Sequence, residues 1–114
     1  AERLAIEAEL KKLQGTDINK ADADGATPLL RACKEGNDAL VCALIEAKAA
    51  LDTQTKQGWT ALMRACYYNH EHCARALIEA KADLEKQTDQ GNTALMLSCQ
   101  NGHEHCARAL IEAG

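Results

Sequence analysis

The chain has 114 residues, enough for one domain with a modest core. Its 46% hydrophobic and 26% charged content is that of a globular protein, and no run of 18 apolar residues is present to cross a membrane as a helix. Net charge is −4 and no basic run exceeds Lys11-Lys12, so the basic face that nucleic-acid binders usually carry is not expected.

In chain order, "AERLAIEAELKKL" (1–13) mixes acids with bases and lacks an apolar signal core, so no targeting segment is expected there. The chain does not begin with Met and stops at Gly114, as a piece of a longer protein would, and a targeting segment could lie outside it. From Gly25 the sequence repeats itself. "GATPLLRACKEGNDALVCALIEAKAALDTQTKQ" (25–57) is followed by "GWTALMRACYYNHEHCARALIEAKADLEKQTDQ" (58–90) and then "GNTALMLSCQNGHEHCARALIEAG" (91–114). Thr27, Thr60 and Thr93 precede a short apolar helix, where a hydroxyl can accept an orphan backbone N–H. Pro28 suits the first helical position, and the helix closes near Gly36 or Gly102. A second helix is expected from about Asp38, Glu71 and Glu104 to Ala47, Ala80 and Ala113. Its Cys73, Ala74, Leu77 and Ile78 keep the i, i+3, i+4 rhythm of a buried stripe. The polar stretch after it, "KADLEKQTDQG", has Leu51 and Leu84 as its only large apolar residues and should be an extended turn.

The G-x-T-P/A-L opening, the paired helices, "LIEAxAD" and the 33-residue period resemble the ankyrin repeat. The resemblance covers 25–114 well and 1–24 in part, with "ELKKLQGTDINKADADG" similar to a second helix and a turn shortened by about one residue. It implies an all-α repeat solenoid, helix-turn-helix pairs joined by extended β-turn loops. The expected division of this single domain is 1–24 as an N-terminal cap, full repeats at 25–57 and 58–90, and a truncated repeat at 91–114. Two departures stand out. Leu30, Met63 and Met96 occupy the place where the family carries a histidine that stitches neighbouring turns, so that network is missing or replaced by packing. Lys48 and Lys81 occupy the place of a glycine that is often left-handed, at a cost of about 1 kcal/mol each, and Gly114 is the residue expected to fit it. The last unit has no polar terminal variant, so its outer face should be as apolar as the inner face before it. Further repeats or a neighbouring subunit would cover it.

Every aromatic residue lies within "GWTALMRACYYNH" (58–70): Trp59, Tyr67 and Tyr68. By the resemblance, these match positions that vary across the family and line its binding groove, whereas Leu62, Ala65 and Cys66 match buried ones. Arg64, Tyr67 and Tyr68 stand at i, i+3, i+4 and share one face. The equivalent positions are Ala26, Arg31, Lys34 and Glu35 before, and Asn92, Leu97, Gln100 and Asn101 after. Trp, Tyr and Arg are the residue types of central interface hot spots. The expected partner-binding set is therefore Trp59, Arg64, Tyr67, Tyr68, Arg31, Lys34, Asn92, Leu97, Gln100 and Asn101. The opposing reading has Tyr67 and Tyr68 covering the helix end and Trp59 packing on the adjacent turn.

Other chemistry is weaker. "HEHC" recurs at His70, His72, Cys73 and at His103, His105, Cys106, but residues at i and i+2 on a helix point apart, and two ligands are too few for zinc. Repeats stacked about 8–10 Å apart do not bring such ligands together. In the family, the histidine matching His103 orders the junction between helices. Cys33, Cys66 and Cys99, like Cys73 and Cys106, are 33 residues apart, a repeat echo on a buried stripe, too wide for disulfides. Cys42 falls outside the pattern. Glu46, Glu79 and Glu112 recur as a solvated outer face. No phosphate loop or activated nucleophile is found, and neither an enzyme nor a cofactor is expected. The functions left are a protein-binding module, a structural linker subunit locked into an assembly, an engineered binder, or a receptor for a flat small molecule. Free cysteines place the chain in a reducing intracellular space, by default cytoplasm or nucleus, with an organelle interior open.

Overall fold

The computed structural model describes residues 2–15 and 17–113. Among them run α1 (Glu2–Leu13), α2 (Pro28–Glu35), α3 (Asp38–Glu46), α4 (Ala61–Tyr67), α5 (Glu71–Glu79), α6 (Ala94–Gln100) and α7 (Glu104–Ala113), with no strand among the described residues. They form two rows. Helices α2, α4 and α6 stack in one, and α1, α3, α5 and α7 in the other. Neighbours in each row are one repeat apart, so each repeat before the last has its apolar stripe closed by the next, and the chain is an all-helical repeat solenoid.

Local chemistry sets the helix starts. The hydroxyls of Thr27, Thr60 and Thr93 accept from the backbone N–H of Leu30, Met63 and Met96 at 3.4, 3.2 and 3.3 Å. Pro28 opens α2, and Gly36 closes it at φ 74°. In the next repeat the same place is taken by Asn69 at φ 62°, the non-glycine residue type that tolerates this region best after glycine.

The segments between the rows are extended turns, as expected, and they hydrogen-bond in rungs one period apart. Asn19 and Asp52 accept from the backbone N–H of Ala50 and Asp83 at 2.9 and 2.8 Å. The Lys56 and Asp89 N–H groups donate to the carbonyls of Asp24 and Gln57 at 3.1 and 2.9 Å. Gly58 is required where two turns meet, since a Cβ there would stand 2.9 Å from Thr88 Cα.

Two expectations are corrected. The turn after α1 is not shortened: Gly15, Asn19, Asp22 and Gly25 each precede Lys48, Asp52, Thr55 and Gly58 by one full period. Gly15, at φ 75°, is therefore a glycine in the left-handed position that Lys48 and Lys81 hold at 67° and 72°. Gly114 lies outside the described residues.

Leu30 and Met63 are buried in the core with Leu29, Leu44, Leu62 and Leu77, so packing stands in the place of the family's histidine. Met63 Sδ also accepts from its cap residue, Thr60 N–H, at 3.4 Å. The last repeat breaks the pattern. Met96 is 46% exposed where Met63 is 1%, Ile111 is 65% exposed where Ile78 is half-buried, and Cys99 is exposed where Cys66 is buried. The expected burial of Cys99 therefore does not hold: among the described residues no helix packs over it.

Candidate functional site

Trp59 is presented by the turn closed at Gly58. Its backbone N–H donates to Thr55 Oγ1 at 3.1 Å, and its carbonyl accepts from Thr55 N–H at 2.9 Å. Tyr67 and Tyr68 end α4, each 38% exposed. The three rings form one continuous ridge. Trp59 meets Tyr67 edge-on with centroids 5.2 Å apart at 86°, and Tyr67 meets Tyr68 at 5.0 Å and 76°. His70 extends the ridge, its ring 6.5 Å from Tyr68 at 21°.

Cations flank the rings. Arg64 Cζ lies 4.6 Å from the Trp59 ring centroid, and Lys34 Nζ lies 6.0 Å from that of Tyr68. Lys34 comes from α2, so the ridge runs from one repeat into the next. Arg31 stands apart. Its guanidinium reaches Asp22 at 3.4 Å, and the Asp22 carboxyl is held below its ordinary value by N–H donation from Ala26 and Asp24 and by Arg31.

On the far side of Trp59 lies a hollow of about 370 Å³. Trp59, Tyr67 and Leu97 give it apolar walls; Gln57, Thr88, Asp89, Gln90, Asn92 and Gln100 line the rest. Gln100 Nε2 donates to Asn92 Oδ1 at 3.4 Å. Leu97 was expected on the groove surface and is instead 3% exposed, part of the core beneath the rings. Asn101 is exposed, but its amide turns back to the Leu97 carbonyl at 2.8 Å. The structure thus gathers Lys34, Trp59, Arg64, Tyr67, Tyr68, Asn92, Leu97 and Gln100, and leaves Arg31 and Asn101 aside. Sequence spacing missed His70 and the turn residues Gln57 and Thr88–Gln90. The signal for the latter was their position one period apart at the turn tips.

His70, His103 and four of the cysteines join neighbouring elements of the stack. His103 Nδ1 donates to the Cys66 carbonyl at 2.8 Å and His70 Nε2 to that of Lys34 at 3.1 Å. Among the described residues no three His, Cys, Asp or Glu side chains stand close enough to hold a metal ion. Thiols meet across the helix rows, Cys66 with Cys106 and Cys33 with Cys73. The Cys66 thiol is pushed up by its hydrogen bond with Cys106 and by burial. That of Cys73 is raised by Cys33, burial and Asp38, whose carboxylate accepts from it at 3.0 Å. The Cys66 and Cys73 thiols therefore stay protonated, while the hydrogen bond with Cys66 lowers that of Cys106. A second hollow, about 550 Å³, opens between α1, α3 and α5 beside Asp38, Cys42, His72 and Arg75.

Residues 4–88 match the family model for ankyrin repeats in three copies, and residues 90–114 match that for a further ankyrin repeat. The chain belongs to the ankyrin repeat family, whose members are generally protein–protein interaction modules. No curated protein matches it. No helix is long and apolar enough to cross a membrane among the described residues.

Proposed function

We propose that this chain, a single domain of repeats divided at Gly25, Gly58 and Gly91, holds a peptide or loop of another protein on the Trp59–Tyr67–Tyr68 ridge, with Arg64 and Lys34 beside it. It performs no catalysis of its own and binds no nucleic acid. The observation that supports this is the place of the aromatic rings. Trp59 is only partly buried against the core, and Tyr67 and Tyr68 stand exposed in contact with one another, with Lys34 over Tyr68 and Arg64 over Trp59, the composition of an interface hot spot. The contact between Trp59 and Tyr67 favours the opposing reading in part, since it supports the ring from below. It also pre-orders the ridge, which lowers the entropy cost of binding.

A second reading is a linker subunit locked into an assembly through its last repeat. The exposed Met96, Cys99 and Ile111 favour it. A pull-down from the source cell, run beside a Trp59→Ala/Tyr67→Ala/Tyr68→Ala variant shown by circular dichroism to be equally helical, separates the two. The ridge predicts a protein captured by the parent chain and lost with the variant. The same proteins with both would move the contact to the last repeat.

A further inference from the structure

Arginines in this chain sort into two kinds. Arg3 holds Glu46 at 2.7 Å, Arg31 holds Asp22 at 3.4 Å, Arg75 holds Glu71 at 2.8 Å, and Arg108 holds Glu104 at 2.7 Å. Arg64 holds no carboxylate among the described residues and lies half-buried on the Trp59 ring. Lys34, at the other end of the ridge, likewise has no carboxylate within 4 Å among the described residues and points over Tyr68. A chain of net charge −4 has carboxylates in excess, and four of its arginines have found them. The one arginine that has not, Arg64, is the one on the aromatic ridge, and Lys34 stands at the ridge's other end. A guanidinium lying over an indole directs its N–H fork sideways, away from the ring face, where it can grip a carboxylate with two parallel bonds.

The hollow beside the ridge narrows the occupant further. At about 370 Å³ it admits one ring, and it is too small for an α-helix about 10 Å across. Trp59, Tyr67 and Leu97 give it an apolar wall, while Asp89, Asn92 and Gln100, which also line it, offer acceptor oxygens. A ring that carries an N–H or O–H donor satisfies both. Asp89 lines the hollow and repels carboxylates placed over it, which favours the Lys34 and Arg64 ends for the partner's acids.

We infer that the occupant is an extended acidic segment of a partner protein with one tryptophan or tyrosine, its ring in the hollow beside Trp59 and its carboxylates on Arg64 and Lys34. The inference rests on the ridge being the binding surface.

The test is selection of a phage-displayed random 12-residue peptide library on the intact chain. Enriched peptides, fluorescein-labelled, are then measured by anisotropy against the parent chain, an Arg64→Glu/Lys34→Glu variant, an Arg64→Gln variant and the triple aromatic variant. The expected result is enrichment of Asp and Glu around a single Trp or Tyr. Affinity should weaken at least tenfold with the charge-reversed variant and more modestly with Arg64→Gln, and the charge-reversed chain should itself select Lys- and Arg-rich peptides. Basic or uncharged peptides that still need the three aromatic residues would overturn the acidic segment and leave the ridge standing. Peptides that bind the triple aromatic variant equally well, or no enrichment at all, would overturn both.

Discussion

Lys48 and Lys81 hold a left-handed backbone that their Cβ atoms disfavour, whereas Gly15 holds it freely one period earlier. Lys48→Gly and Lys81→Gly should each raise stability by up to about 1 kcal/mol in urea unfolding, offset in part by the freedom glycine adds to the unfolded chain. The titration of two carboxylates gives a signed expectation. Asp22, held down by Ala26 and Asp24 N–H groups, and Glu71, held down by Arg75, both have depressed folded values. Their contribution is present above the ordinary values of 3.8 and 4.5 and is lost as pH falls through the lower folded values. Thermal midpoints of Asp22→Asn and Glu71→Gln should therefore fall less steeply below pH 4 than that of the parent. At the ridge, helical spacing put Arg64, Tyr67 and Tyr68 on one face, while the position of Trp59 was read from the family resemblance. Leu97 was misplaced because helical periodicity tells which face a residue shares, not how far rings from the neighbouring repeat reach over it.

Gly58 and Gly91 are equivalent in sequence and in φ, at 87° and 83°, yet only Gly58 has the next turn against it. Alanine at either adds the strain of a left-handed residue, about 1 kcal/mol. At Gly58 its Cβ would also press on Thr88 backbone at 2.9 Å, which cannot swing aside. Gly58→Ala should cost about 3 kcal/mol or more and Gly91→Ala about 1, read from denaturant midpoints. The helices were legible because α2, α4 and α6 each carry a threonine cap and the helices after them an apolar rhythm. The hollow beside Trp59 was not, since the 57 and 88–90 turns approach through backbone rungs that no side-chain pattern announces.

A stack shares its core between repeats, so the same residue type has a different worth along it. Met63→Glu would bury an unpaired carboxylate and should unfold the chain, while Met96→Glu, on the uncovered face, should change stability by less than about 0.5 kcal/mol. Circular dichroism at 25 °C distinguishes them. The stack therefore offers a partner two different surfaces, the ridge of rings and cations and the bare face of the last repeat. Hydrogen exchange of the free chain and of the chain bound to its captured partner tests most directly which one functions. Slowed exchange centred on 56–70 and the 88–92 turn is the predicted result; slowing confined to 95–111 would contradict it.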